Sequence, residues 1–298
     1  MVSASAKAHA ALFFSGLIFG ANYWIAKGLM PVFMQPMQIV FYRGIITVSL
    51  FYIIWRFSGS EKVEKRDLAR LIICGMLGVA VNQVFFFTGL NFTSPVDTSL
   101  IHAASPLMVL LFSILINHEK AGMAKITGIL LGGAGAVLLI LSGKLSTHGS
   151  NQFLGNILIF INILAYSLYL VLVKPLMAKY SAITVLKWVF LSGFIFVVPF
   201  SLQDALQVSW GSLSAYAWFA LIYIILGATF FTYLLTIFSL RTLSAGTAGY
   251  YIYMQPLIAS FIGIVFLGEQ LSLEKILAAA VIFAGVYLVL RPAPKTNA

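Results

Sequence analysis

Few side chains in this sequence could do chemistry, and most of them stand in apolar surroundings that make each one costly. Arg43 sits in the run Phe41-Tyr42-Arg43-Gly44, His102 lies four residues before Pro106, and Asp97 follows Pro95 by two. In lipid a charged side chain costs roughly 3 kcal/mol or more unless it is paired or faces a polar cavity. Arg43 therefore has two readings: a cation that attracts a substrate carboxylate or phosphate, or a structural arginine bonded to helix carbonyls or to Asp97. Asp97 reads as the cap of a helix start, where negative charge suits the dipole. His102 is either a proton relay that titrates near neutral pH or a neutral imidazole bonded to a backbone carbonyl. Amide and aromatic groups form a softer set: Asn22, Tyr23, Trp24, Asn82, Gln83, Tyr166, Tyr169, Thr229, Tyr233, Tyr250, Tyr253 and Gln255. They could line a pocket for a small amphiphilic solute, although tyrosine and tryptophan also populate membrane interfaces. Pro106 and Pro256 each free the carbonyl four residues earlier, which makes either a gate or a static bend.

Other chemistries lack their residues. Cys74 is the single cysteine, the histidines are His9, His102, His118 and His148, and no HExxH, P-loop or GxSxG pattern occurs. No disulfide, metal or cofactor is expected, and no enzyme activity. A membrane-embedded enzyme would need converging acids, and the 8 Asp and Glu residues fall mostly in separate loops. The net charge of +10 is spread over the ends of apolar segments with no basic stripe, so nucleic acid is not an expected partner.

The elements that must carry these side chains follow from composition. Of 298 residues, 61% are hydrophobic and 9% charged, against about 25% charged in soluble domains. Too little charge remains to cover a surface in water, so the solvent is lipid. A span needs about 20 apolar residues, and such stretches run approximately 10–29, 36–56, 68–90, 95–116, 123–142, 153–174, 182–202, 215–239, 244–267 and 272–291. The runs are continuous rather than alternating, which predicts an all-α integral membrane fold of ten transmembrane helices. The first stretch resembles a signal peptide in outline and reads as a retained helix.

Short-loop lysines and arginines set the orientation. With the N-terminus cytoplasmic, Lys7, Arg56, Lys62, Lys65, Arg66, Arg70, Lys120, Lys125, Lys174, Lys179, Arg241, Arg291 and Lys295 lie inside, and only Lys27, Lys144 and Lys275 outside. Both termini should be cytoplasmic, in a bacterial cytoplasmic membrane. Lys187 falls within a span and reads as snorkelling to the cytoplasmic interface. Stripes of small residues, Gly128, Gly132 and Ala136 and again Ala280 and Ala284, read as helix-packing faces.

One register recurs. Ser105-Pro106-Leu107 aligns with Gln255-Pro256-Leu257, and the same offset of 150 carries Leu90 to Leu240, Ser94 to Ser244, Glu119 to Glu269, Lys125-Ile126 to Lys275-Ile276 and Ala134-Gly135 to Ala284-Gly285. Two halves follow, 10–142 and 153–291, with a cytoplasmic N-terminus at 1–9, a linker at 143–152 and a tail at 292–298. Five spans per half is an odd number, so the halves form two inverted repeats, the arrangement used for alternating access.

Phe19-Gly20-Ala21-Asn22, Phe41-Tyr42-Arg43-Gly44 and the segment from Leu240-Arg241-Thr242-Leu243-Ser244 to Leu267-Gly268-Glu269 resemble the EamA-type branch of the drug/metabolite transporter superfamily. The resemblance spans about 10–291, and the first half departs from it where Asn117-His118-Glu119 replaces Leu-Gly-Glu. It implies ten helices and transport of small solutes, often export of amino acids or related metabolites. A nucleotide-sugar or phosphorylated-metabolite carrier is the alternative, and a scaffold subunit is a reading from another class. The expected partners are a small-molecule substrate and the bilayer, and a homodimer is compatible with such a chain.

Overall fold

The computed structural model describes residues 4–58, 61–119, 121–142, 151–240, 242–243, 251–269 and 271–290, and among them every regular element is a helix. We name these α1 (Ala4–Leu29), α2 (Pro36–Phe57), α3 (Lys65–Phe92), α4 (Pro95–Asn117), α5 (Met123–Ser142), α6 (Gln152–Lys179) and α7 (Ala182–Ala205). The helical segments Ala215–Ile222, Tyr223–Phe231 and Thr232–Leu240 run on as α8, followed by α9 (Met254–Leu267) and α10 (Leu273–Leu290). Among the described residues, eight helices are long and apolar enough to cross a membrane, and α9 is a shorter apolar helix. Large apolar side chains such as Phe14, Ile53, Phe200, Leu257 and Phe266 face outward, as they do where hydrocarbon replaces water. The protein is an all-helical, multi-pass membrane protein.

Hydrogen bonds and ion pairs between helix ends sort those ends into two sets. At one, end I, Lys179 at the close of α6 pairs with Asp67 at the start of α3 at 2.7 Å. Also at end I, His9 near the start of α1 bonds to Tyr251 just before α9 at 2.9 Å, and Ser239 of α8 donates to the Ala8 carbonyl. At end II, Lys27 in the last turn of α1 donates to the carbonyls of Leu90, Asn91 and Thr93 at 2.7–2.9 Å, closing α3. There too, Lys275 at the start of α10 meets Asp97 at the start of α4, and Gln38 of α2 reaches the Asp204 carbonyl of α7. Lys27 supplies donors that helix-terminal carbonyls otherwise lack. Lys27→Met is expected to destabilise the protein by about 1–3 kcal/mol, read as a lower Tm in detergent without a change in helix content.

Local structure recurs at the offset found in the sequence. Helices α3 and α8 begin at Lys65 and Ala215, and α5 and α10 at Met123 and Leu273. A wide π turn occupies Met76–Val81 of α3 and Tyr223–Phe231 of α8, and the two end 150 residues apart. Helix α4 breaks at Ala103–Ala104, before Pro106, and the backbone breaks again at Tyr253, before Pro256. Both prolines thus stand in the first turn after a break, where no N–H is needed. His118 takes a left-handed conformation at φ 53°, and Gly268 takes it at φ 65°. The departure at Asn117-His118-Glu119 therefore keeps the left-handed residue at the matched position, because histidine is among the residues that tolerate this region.

Helices α5 and α10 cross backbone to backbone. A Cβ at Gly285 would lie 2.5 Å from the Gly128 carbonyl oxygen and from the Gly132 nitrogen, and a Cβ at Gly135 would lie 2.8 Å from the Ile282 nitrogen and 2.9 Å from the Ala278 oxygen. The expected packing stripe is corrected on α10: Ala280 and Ala284 are exposed, and Ala278, Ile282 and Gly285 form the seam. The contact is reciprocal, since Ile282 and Ala278 stand 150 residues beyond Gly132 and Gly128.

Candidate functional site

The polar residues inside the bundle converge from both halves. Each π turn widens its helix and frees a backbone carbonyl from its usual partner, a device frequent at functional sites. In α3 the turn delivers Asn82, whose carbonyl accepts from the Asn162 side chain of α6 at 2.6 Å. In α8 the Thr229 hydroxyl fills the same role, donating to the Ile224 carbonyl at 2.8 Å. Gly78 lies within the α3 turn, where a Cβ would stand 2.6 Å from the Tyr169 ring. Glycine is required there so that Tyr169 can pack directly against the backbone of α3.

Beyond the turn, Gln83, Phe86 and Phe87 face inward one helical step apart. The Arg43 guanidinium of α2 lies 5.4 Å from the Phe87 ring centroid. Phe86 and Phe87 meet edge to face at 5.1 Å, Phe86 meets His102 at 5.8 Å, and His102 meets Tyr23 at 5.7 Å. The Tyr23 hydroxyl then donates to Gln255 Oε1 at 2.9 Å. Tyr233 of α8, within electrostatic reach of Arg43, shares an apolar cluster with Tyr166 and Tyr169 of α6, whose rings are 5.7 Å apart. A continuous band of aromatic and polar groups therefore links α1, α2, α3, α4, α6, α8 and α9.

Arg43 has no anionic partner in this band. It is 9% exposed, its Nε is buried without an acceptor, and it forms no ion pair or hydrogen bond with any described residue. Asp97, the acid named above as its alternative partner, is engaged elsewhere by Lys275 at 2.8 Å and by the Gln152 amide. The ring of Phe87 offsets only part of the cost of burying the charge. Asn22, Gln83 and Asn162 each carry a buried amide oxygen without a donor, a loss of about 1–3 kcal/mol apiece if nothing else supplies one. The arrangement thus offers one unneutralised cation and several unused acceptors, the complement of a small solute with an acidic group and hydrogen-bond donors.

His102 is bonded to a backbone carbonyl, as one of its two readings expects. Its Nδ1 is 2.9 Å from the Thr98 carbonyl, an acceptor, so this nitrogen carries a proton. Asn162 stands beside it. Trp24 is drawn out of the band, donating from Nε1 to the Ala259 carbonyl at 2.7 Å, where it ties α1 to α9. Tyr253 packs on Phe283 of α10 at 6.1 Å and shares with Trp24 and Phe86 the apolar cluster around Ile101 and Leu107. Tyr250 lies outside the described residues. Asn162, Phe86 and Phe87 were not among the expected site residues. Asn162 was accessible to the rule that found Asn82, being a strongly polar residue in an apolar span, whereas nothing in a phenylalanine-rich run marks which rings face inward.

At end II, Asp97 and Glu269 share Lys275. Asp97 lies in the first turn of α4 but is not its cap: Ser94 is, its hydroxyl accepting from the Asp97 N–H at 3.0 Å, and the Asp97 carboxylate bridges instead to the start of α10. Burial pushes the Glu269 carboxyl above its ordinary value of 4.5 and Asp97 adds to this, while Lys275 and Ser94 oppose it. The folded protein therefore holds this proton more tightly than the unfolded chain does. Its stabilising contribution is full below the unfolded value and is lost as pH rises through the raised one. The Tm of the parent is expected to decline from about pH 4.5 upward more steeply than that of Glu269→Gln, and equal slopes would contradict this assignment.

A cleft of about 300 Å³ opens at end II between α2, α3 and α7, lined by Gln35, Gln38, Thr88, Asn91 and Asp204 among others. It reaches the residue next to Phe87.

Residues 6–141 and 153–291 each match the EamA-like transporter family. An uncharacterized transporter of Archaeoglobus fulgidus is 25% identical over 95% of this chain and 97% of its own. A WAT1-related protein of Arabidopsis thaliana is 24% identical over 95% of this chain and 85% of its own. A protein of Streptantibioticus cattleyicolor named "Probable terminal-alkyne amino-acid exporter" is 22% identical over 78% of this chain and 76% of its own. A solved crystal structure superposes with a TM-score of 0.63 at 17% identity, over 95% of this chain and 97% of that one, a likeness of fold alone. With both halves matched over nearly their full length, the chain belongs to the EamA-like transporter family of the drug/metabolite transporter superfamily, and it is a membrane transporter of that family.

Proposed function

We propose that the protein is a secondary transporter that moves a small metabolite bearing an acidic group, an amino acid or a related compound, outward by alternating access. The observation that carries this reading is Arg43, a buried guanidinium without an internal anion, in a band contributed by both halves. The ammonium of an amino acid would find its acceptors in the unused amide oxygens of Asn22, Gln83 and Asn162, and its apolar part would pack on Phe86, Phe87 and the tyrosines. A nucleotide sugar or phosphorylated metabolite carries more negative charge than one guanidinium balances, which favours the single acid.

The mechanism needs two units of opposite orientation. Ten crossings, as two inverted repeats of five, are supported by the alternation of helix ends, the recurrence at 150 residues and the reciprocal α5–α10 seam. In such a design the breaks before Pro106 and Pro256 serve as matched hinges. The lysine and arginine bias then puts end I and both termini in the cytoplasm and the protein in the cell membrane. Each chain supplies both repeats, so one copy suffices, and a homodimer is compatible with this.

Ligands that bind the folded state raise Tm by mass action. The purified protein in detergent is expected to be stabilised by a pool of amino acids and not by pools of nucleotide sugars or phosphorylated sugars. Stabilisation by a phosphorylated pool alone would replace the acid assigned here by the alternative.

A further inference from the structure

Lys187 does not extend into open solvent as a snorkelling lysine would; its side chain is covered. It is 5% exposed, five residues into α7 at end I, and its ammonium lies 3.4 Å from the Trp55 ring centroid and 4.3 Å from that of Trp188. Two indole faces attract a cation, by about 2 kcal/mol or more when it is desolvated, but they satisfy none of its three N–H donors. Among the described residues no carboxylate or carbonyl accepts from it. Glu61, an acid at the same end, is occupied by the Ser181 N–H at 2.9 Å. The Trp55 indole N–H is likewise buried without an acceptor. Arg56, next to Trp55 in the last turn of α2, is exposed.

The close of α2 and the start of α7 thus hold a charged donor and a neutral donor with a second cation at the rim, and neither donor has an acceptor among the described residues. Such a set fits an anion with several acceptor oxygens. Its level also fits, since Trp55, Trp188 and the exposed Tyr52 are the residues that mark a membrane–water interface. We propose that Lys187 and the Trp55 N–H form a phosphate-binding site, separate from the transport pathway, for the headgroup of an anionic phospholipid in the leaflet at end I. The leaflet is cytoplasmic in the orientation given above, and the site rests on that reading only for this placement.

The test is a Tm titration of the full chain in detergent with short-chain phosphatidylglycerol, with phosphatidylcholine and inorganic phosphate as separate arms. Phosphatidylglycerol is expected to raise Tm, phosphatidylcholine far less. The half-saturating concentration should rise about tenfold in Lys187→Gln, which loses a charge-assisted contact, and about fivefold in Trp55→Phe, which keeps a ring and loses only the N–H. Lys187→Arg should restore it. Stabilisation by inorganic phosphate that also depends on Lys187 would support the same anion site with solution phosphate as its occupant. Equal half-saturation in the parent, Lys187→Gln and Trp55→Phe would overturn the site. If Lys187→Gln does not fold, Trp55→Phe decides. No transport is read, so a failed flux assay leaves this result standing.

Discussion

Arg43→Gln is expected to lose transport of the acidic solute by about 100-fold or more while the unliganded protein stays as stable as the parent or becomes more so. The two effects separate because they have different origins. A guanidinium that receives a carboxylate makes two charge-assisted hydrogen bonds, each about 1.5–3 kcal/mol, and 1.4 kcal/mol is tenfold in affinity. Before substrate arrives, the same group is a buried cation facing Phe87 with its Nε unpaired, so its removal relieves a desolvation cost. Arg43→Lys keeps the charge and loses the paired geometry, and it should retain part of the activity. Flux and Tm measured on the same preparations check this. A structural arginine would show the opposite pattern, with Tm and flux falling together.

The second large effect is on the fold. Gly285→Leu should destabilise the protein by about 3 kcal/mol or more, because the new side chain meets the backbone of α5 and not a flexible neighbour. Ala284→Leu, one residue earlier but exposed, should change stability by about 0.5 kcal/mol or less. The fraction of monodisperse protein after graded heating separates the two. Equal losses would mean that α10 packs through the other face.

The contrast at α10 shows how far the sequence could be read. Continuous apolar runs, the lysine and arginine bias and the register from Pro106 to Pro256 were legible because lipid imposes them on composition. Which face of α10 met α5 was not, because Ala280, Ala284 and Gly285 are equally small, and only the partner backbone decides between them. The π turns of α3 and α8 leave no pattern beyond their glycines, yet they set the direction of Asn82 and the rings after it. For the site, the costly residues announced themselves. Arg43 and His102 stood out as ionisable groups in an apolar run, and Gln255 as an amide in one. Their partners are ordinary aromatics, whose roles depend on orientation. Lys187 is a different case: its ammonium is covered by Trp55 of α2 and Trp188 of α7, a meeting of two helices that spacing along the chain does not signal.

Counterflow in proteoliposomes tests the central claim most directly. Vesicles holding the purified protein are preloaded with an unlabelled amino acid pool and offered the labelled counterpart outside. Accumulation above empty vesicles, absent with nucleotide-sugar pools and lost in Arg43→Gln, is the result this account predicts. No accumulation from a demonstrably folded protein, or accumulation undiminished in Arg43→Gln, would contradict it.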